Sequence, residues 1–507
     1  MENTKKSLFQ RTLDVIEKIG SRLPDPFVLF LIFAVLIVVI SVIATSLGAS
    51  TVHPSTGEVV EVKSLLSREG IEFILTETVT NFTGFAPLGL VLAMMLGVGL
   101  VEKVGFFDYV IRKTLLKAPP FILTYTVVFV GIMGNIASDA SAVIIPPLAA
   151  LVFYKVGRHP LAGLAAGFAG AGAGFTANLL VAGTDVLLSG ISTEAARIID
   201  PEFVVTPLDN YFFNVVSVFM LTIIGGLITT RFIEPRLGTY EGAVEDEEET
   251  EVQNGGRGVL LAVIASVIYW GLIVGGFFLP NSYLAGEDGG FLNSPLLKGI
   301  VPVILVWFMI VGVTFGFTTK VLKTSTDVTN KMAEAIKDMA PYIVLVFAIA
   351  QFIAYFNWSN LAIWLAVNGA AFFESIQFTG IPLIILYVIF TGLLNFLITS
   401  GSAKWALEAP VFIPMFMQLG YDPAFVQAAY RIADSSMNIV TPLYPLMIVI
   451  IAFMRRYDKN SNIGTYMSLM IPYAFSFLFA WIILLLVFYY TGLPLGPGAY
   501  TLLESRG

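Results

Sequence analysis

Nine apolar stretches, at about 27–47, 86–101, 160–190, 211–231, 258–279, 298–318, 341–357, 423–453 and 465–491, approach or exceed the length needed to cross a hydrocarbon core of roughly 30 Å. No other feature restricts the fold as much. Lipid offers no hydrogen bonds to a backbone, so only helices and closed barrels span it, and segments of this length without two-residue alternation are helices. With 57% hydrophobic and 13% charged residues and a mean hydropathy of +0.84, the 507-residue chain has too little polar surface for a water-soluble globule of its size.

Two of the stretches, 160–190 and 423–453, are over-long and carry Gly, Pro or Asn inside, as discontinuous helices do. Two further apolar segments, 120–154 and 379–420, are each cut at the middle by a polar cluster. The clusters are Gly134-Asn-Ile-Ala-Ser-Asp139 and Thr399-Ser-Gly-Ser-Ala-Lys404. Each segment reads as two half-length helices that enter and leave on one side, although a pair of full spans is the alternative reading. The expected fold class is therefore an all-α integral membrane protein with about nine transmembrane helices plus two re-entrant helical hairpins.

The order span, span, hairpin, broken span, span occurs twice, around a lone connector, which inverts the second half. Ser138 precedes Pro146 and Ser402 precedes Pro410 by the same interval, and Pro160 and Pro423 follow the two hairpins. An inverted-topology repeat of this kind places substrate and ions at the midplane. The expected organisation is a cytoplasmic amphipathic helix at 1–26, a first repeat at 27–237, and an acidic cytoplasmic linker at 238–257 that holds the run Glu245 to Glu251. A connecting helix and loop follow at 258–297, then the second repeat at 298–491 and a tail at 492–507. With the N-terminus inside, twenty-one Lys and Arg fall on the cytoplasmic side against five outside, among them Lys63 and Arg506. That count requires the apolar stretch 360–375 to lie near the outer interface without crossing.

The chain has no cysteine, and His53 and His159 both fall in loops, which removes thiol chemistry and imidazole catalysis within the membrane. Ionisable side chains inside spans are candidates for function. They are Asp139, Asp185, Lys404, Glu408, Arg431 and Asp434, all near hairpin turns or helix breaks. Arg431 and Asp434, three apart, share a helix face and can neutralise each other; alternatively Arg431 takes a substrate carboxylate. Trp405 either stacks on a flat ring or sits in an interfacial belt. Asn135, Ser138, Asn178, Asn395, Ser402, Ser435, Ser436 and Asn438 supply neutral oxygens that bind Na⁺ or satisfy helix breaks.

The stretch from Ser400 to Met415, with Ala429-Tyr-Arg-Ile-Ala-Asp-Ser-Ser-Met-Asn-Ile-Val-Thr-Pro442, resembles the signature of the aminobenzoyl-glutamate transporter (AbgT) family. Gly134 to Pro147 is similar to that family's first hairpin. The resemblance covers essentially the whole chain. It implies a homodimeric transporter of the bacterial inner membrane, coupled to Na⁺ or H⁺, without other cofactor and without nucleic-acid partners. Implied cargo is p-aminobenzoyl-glutamate or a related aryl carboxylate, with export of sulfonamide antimetabolites in some members. By position in the matching motifs, Asp185, Asn395, Trp405, Pro410, Arg431 and Asp434 resemble the family's functional residues; Ser402 joins them from the hairpin turn, and a Na⁺ is expected near Asn135, Asn178 and Asn438. Ala433 departs from the glycine expected there. The alternatives are a transporter of another carboxylate or amino acid on the same scaffold and, more distantly, a membrane enzyme, for which two carboxylates without histidine are a poor basis.

Overall fold

The computed structural model describes residues 24–54, 56–137, 140–242, 252–287, 289–292 and 294–506. The helix expected at the N-terminus lies outside this set over residues 1–23, as do the acidic run and the side chains of Ser138 and Asp139.

The first half opens with α1 (Pro26–Ser46), a two-stranded hairpin of β1 (Ser50–Val52) and β2 (Val59–Glu61), then α2 (Arg68–Thr83) and α3 (Ala86–Lys103). α2 extends the span expected at 86–101 into one 36-residue rod, jointed at Gly84 and Phe85. Its Glu69, Glu72 and Glu77 had hidden it from an apolar pattern. After α4 (Phe106–Leu116), α5 (Leu123–Met133) and α6 (Ala140–Lys155) meet at a 3₁₀ turn, Gly134–Ala137. α7 (Pro160–Phe168) ends in a π turn at Ala169–Ala173, and the chain runs irregularly to α8 (Gly183–Ala196). α9 (Tyr211–Ile228) continues through a π turn to Leu237, and α10 (Gly255–Phe277) follows.

The second half holds α11 (Ile300–Thr318), α12 (Ser325–Asp338), α13 (Ala340–Trp358) and α14 (Leu361–Ser375). Next come α15 (Ile381–Leu394) and α16 (Gly401–Gln418), joined by a polar turn, then α17 (Pro423–Asn438), a break, α18 (Leu446–Arg455) and α19 (Ile463–Thr491). The protein is thus a helical membrane fold. Among the described residues seven helices are long and apolar enough to cross a membrane, and five more are apolar but shorter. α14, with 15 residues, extends about 22 Å, short of a perpendicular crossing. It packs against α13 and α16.

Loops gather at the two ends of the long helices. At one end Arg158 meets Glu234 at 2.6 Å, Lys103 meets Asp338 at 2.6 Å, and Tyr240 packs between His159 and Tyr457. At the other, Lys63 N–H donates to the Ser359 carbonyl, and Arg506 pairs with Asp209 and Asp422. α9 joins the two ends, starting beside Asp209 and passing Glu234.

α7 and α17 lie at the centre, every residue of both buried. Lipid would reject the polar sequence of α17, so it is enclosed by α8, α15, α16, α19 and the first π turn. The first helix pair reaches α7 only because glycines allow it. A Cβ on Gly170 would stand 2.6 Å from the Val128 carbonyl oxygen, and one on Gly163 2.4 Å from that of Ala149.

Candidate functional site

Both helix pairs are pinned to a helix break by an asparagine at the end of their first arm. Asn135 Nδ2 donates to the Gly174 carbonyl at 3.1 Å, where α7 unwinds. Asn395, at the C-terminus of α15, donates through Nδ2 to the carbonyls of Ala433 and Asp434 at 3.2 and 2.8 Å. The same polar group thus ties each helix pair to a backbone carbonyl of the central helices. Among the described residues the Oδ1 atom is in each case buried without a hydrogen bond, as is the amide oxygen of Asn178.

The break after α7, the break after α17 and the turn before α16 enclose one cavity of about 420 Å³. Phe175, Thr176, Thr184, Leu187 and Leu188 line it from the first half. Thr399, Ser400, Gly401 and Ser402 line it from the turn, and Asp434, Asn438, Tyr444, Pro445 and Leu446 from the second break. α16 points its N-terminus at this space, with Ser400 as N-cap accepting from Ala403 N–H, so the amides of Gly401 and Ser402 present partial positive charge there. Asn438 is 8% exposed.

Of the expected site residues, Ser402, Asp434 and Asn438 line the cavity. The others are placed behind it. Arg431 does not pair with Asp434 on its own helix; Nη1 reaches across to Asp185 Oδ1 at 2.7 Å, with both residues 2% exposed. Asp185 is the third residue of α8 and accepts from Ala182 N–H through Oδ2 at 2.7 Å, so it caps that helix and anchors the arginine together. Asp434 is instead neutralised by Lys404, whose Nζ lies 2.7 Å from Oδ1 and 5.4 Å above the Tyr430 ring. Two ions three apart on one face of α17 thus each find a partner on another helix. The i,i+3 spacing gave no hint of either.

Trp405 is fully buried behind the cavity wall. Its indole N–H donates to the Leu188 carbonyl at 3.1 Å and to Ser192 Oγ at 3.2 Å, and its ring packs on Tyr430 at 4.5 Å. It is neither at an interface nor facing the open space. Pro410 is buried in the interior of α16, as Pro146 and Pro147 lie within α6.

Sequence reasoning missed several members. Thr176 is one: its hydroxyl joins the first break to α17 at 2.7 Å from that of Ser435, a residue the sequence did single out. Gln427, with its amide oxygen turned to Arg431, accepts from Nη2 at 3.2 Å while its nitrogen donates to Ser192 Oγ at 2.6 Å. Tyr430 donates to the Gly401 carbonyl. Gly401 has no room for a side chain, since a Cβ would stand 2.8 Å from Asp434 Oδ2. The available signal was the polar face of α17 itself, which repeats at helical spacing from Gln427 through Arg431 and Asp434 to Asn438.

The sequence from residue 11 to 503 matches the model of the AbgT transporter family. The chain belongs to the AbgT family. A p-aminobenzoyl-glutamate transport protein of Escherichia coli is 42% identical over 486 residues, covering 96% of both chains. Two solved structures share the architecture. The YdaH transporter of Alcanivorax borkumensis is 39% identical with a TM-score of 0.89, over 94% of this chain and 100% of that one. Neisseria gonorrhoeae MtrF is 40% identical with a TM-score of 0.90, over 96% of this chain and 100% of its own, and is described within a class of antimetabolite efflux pumps. The family places this chain among membrane transporters and not among enzymes.

Proposed function

We propose that the protein is a cation-coupled secondary transporter of p-aminobenzoyl-glutamate or a related aryl carboxylate, bound in the cavity between the two helix breaks. The observation that carries this reading is the cavity itself. Two breaks and one helix N-terminus converge on a space whose volume falls within the about 300–1,000 Å³ usual for small-molecule sites. The amides of Gly401 and Ser402, with the Ser402 hydroxyl and Asn438, are suited to a carboxylate, and Phe175, Leu187, Leu188 and Tyr444 to an aryl ring.

Arg431, Asp185 and Trp405 act through the elements they join. They fix α8 against α16 and α17, and so fix the cavity wall. The unpartnered oxygens of Asn135 and Asn178, with Asn438, are the groups a coupling Na⁺ would use. We place the protein in the bacterial inner membrane as a homodimer with its N-terminus cytoplasmic, on the Lys and Arg bias and on the family. The two halves form an inverted repeat that rocks around the cavity.

The test is uptake of radiolabelled p-aminobenzoyl-glutamate into proteoliposomes with Na⁺ and pH gradients imposed separately, in both directions. Accumulation that follows one gradient is the expected result. Sulfonamide movement in place of p-aminobenzoyl-glutamate would reassign the substrate to the antimetabolite class named for MtrF.

A further inference from the structure

The ionisable groups around the cavity do not balance. Asp185 is matched by Arg431 and Asp434 by Lys404, but Glu408 has no cation of its own. It lies one helical turn beyond Lys404 on the same face of α16 and is 2% exposed. Oε2 accepts from Thr391 Oγ1 at 2.6 Å. Oε1 is buried beside the Tyr387 hydroxyl, the polar neighbour left to it, at a geometry looser than an ordinary hydrogen bond.

Five elements face α16, and of these α13 carries no Asp, Glu, Lys or Arg. α15 brings Tyr387 and Thr391, and α17 brings Tyr430 and Asp434. α14 carries only Glu374, at its exposed end, and α8 carries Asp185, bound to Arg431, and Glu194, which pairs with Arg197. Among the described residues Lys404 is therefore the one cation shared by two buried carboxyl groups, Glu408 and Asp434, the second of which lines the cavity.

We propose that Glu408 is a proton-binding site of the transport cycle and that Lys404 reports its state to the cavity. With Glu408 protonated, Lys404 neutralises Asp434. When the proton leaves for water, the carboxylate of Glu408 draws the ammonium one turn along α16, and Asp434 faces the cavity with its charge uncovered. No bond other than the O–H of Glu408 is made or broken. An uncovered carboxylate repels an anionic substrate, so proton and substrate bind together, and by linkage each favours the other. This rests on the transporter reading above and makes the coupling ion a proton, moving with the substrate.

Two measurements on the full-length protein separate this inference from that reading. The first is infrared spectroscopy of the purified protein across pH, without substrate. A protonated-carboxyl C=O band is expected at neutral pH that Glu408→Gln abolishes and Glu408→Asp, which keeps a carboxyl, retains. A wild-type band unchanged in Glu408→Gln overturns the proposal, as does the absence of any band. The second is accumulation in proteoliposomes, where one proton per substrate supports about tenfold accumulation per pH unit. Glu408→Gln is expected to lose it. Wild-type accumulation by Glu408→Gln under a pH gradient overturns the proposal as well. If the band behaves as expected but p-aminobenzoyl-glutamate does not move, the substrate assignment fails and the proton site stands. Accumulation driven by Na⁺ alone leaves the transporter reading intact and removes the proton from it.

Discussion

Arg431 stands at the centre with its charge already committed to Asp185, and that decides what its loss does. Arg431→Ala leaves a buried carboxylate uncompensated, a change that costs about 3–5 kcal/mol when one partner of a buried pair is removed. The expected result is a large fall in melting temperature together with loss of transport. Removing both charges, as Arg431→Met with Asp185→Leu, should recover much of the stability and none of the transport. A double variant that melts like Arg431→Ala would show that the pair is not what holds these helices together. Gly401 is limited by contact and not by charge. Gly401→Ala places a methyl against Asp434, so overpacking of about 1–3 kcal/mol falls on the Lys404–Asp434 pair and the turn beside the cavity. Uptake should fall by more than the melting temperature suggests.

At the scale of elements, the two asparagines tie each turn to a break, and their removal should be felt locally. Asn395→Ala gives up two hydrogen bonds to α17, at about 1 kcal/mol each, and loosens the turn from the last part of that helix. The expected outcome is a modest loss of thermal stability with a larger loss of apparent substrate affinity in uptake; the same two losses from Asn135→Ala would show that the first turn matters equally. These ties also show how far the sequence could be read. The polar interruptions at 134–139 and 399–404 announced both turns, because no lipid-facing helix carries such clusters. Gly, Pro and Asn announced both breaks. The rods between them were visible in apolar length alone. α2 and α12 were not, since their charged faces conceal the few apolar residues that pack. Pairing was the least legible property. Arg431 could choose Asp434 on its own helix or Asp185 more than two hundred residues away, and only the approach of α8 to α17 decides. Trp405 likewise had a plausible place at a substrate ring, yet the carbonyl of Leu188 and the hydroxyl of Ser192 claim its N–H.

For the molecule as a whole, the tail after α19 is a strap that binds the start of α9 to the start of α17. Leu503 N–H donates to the Gly420 carbonyl, Asp422 N–H to that of Thr501, and Phe213 N–H to that of Leu495. Arg506 closes it by pairing with both Asp209 and Asp422 and lying 4.6 Å from the Phe203 ring. Two buried carboxylates sharing one guanidinium leave one negative charge in excess. Burial, only partly offset by Arg506, lifts the Asp422 carboxyl from 3.8 to about 6 and raises Asp209 as well. A carboxyl raised on folding prefers its proton in the native state. Its stabilising contribution is therefore complete below about pH 4 and is lost as pH climbs through about 6, a swing of at most about 3 kcal/mol. Asp422→Asn keeps an N-cap for α17 but cannot ionise. Melting temperatures of wild type and variant in detergent should therefore run closest near pH 4. As pH rises to 6 the wild type should lose ground to Asp422→Asn, and above that the difference should stay constant. Parallel curves through this window would mean that Asp422 carries the same charge throughout and that the strap draws its strength from backbone pairing alone.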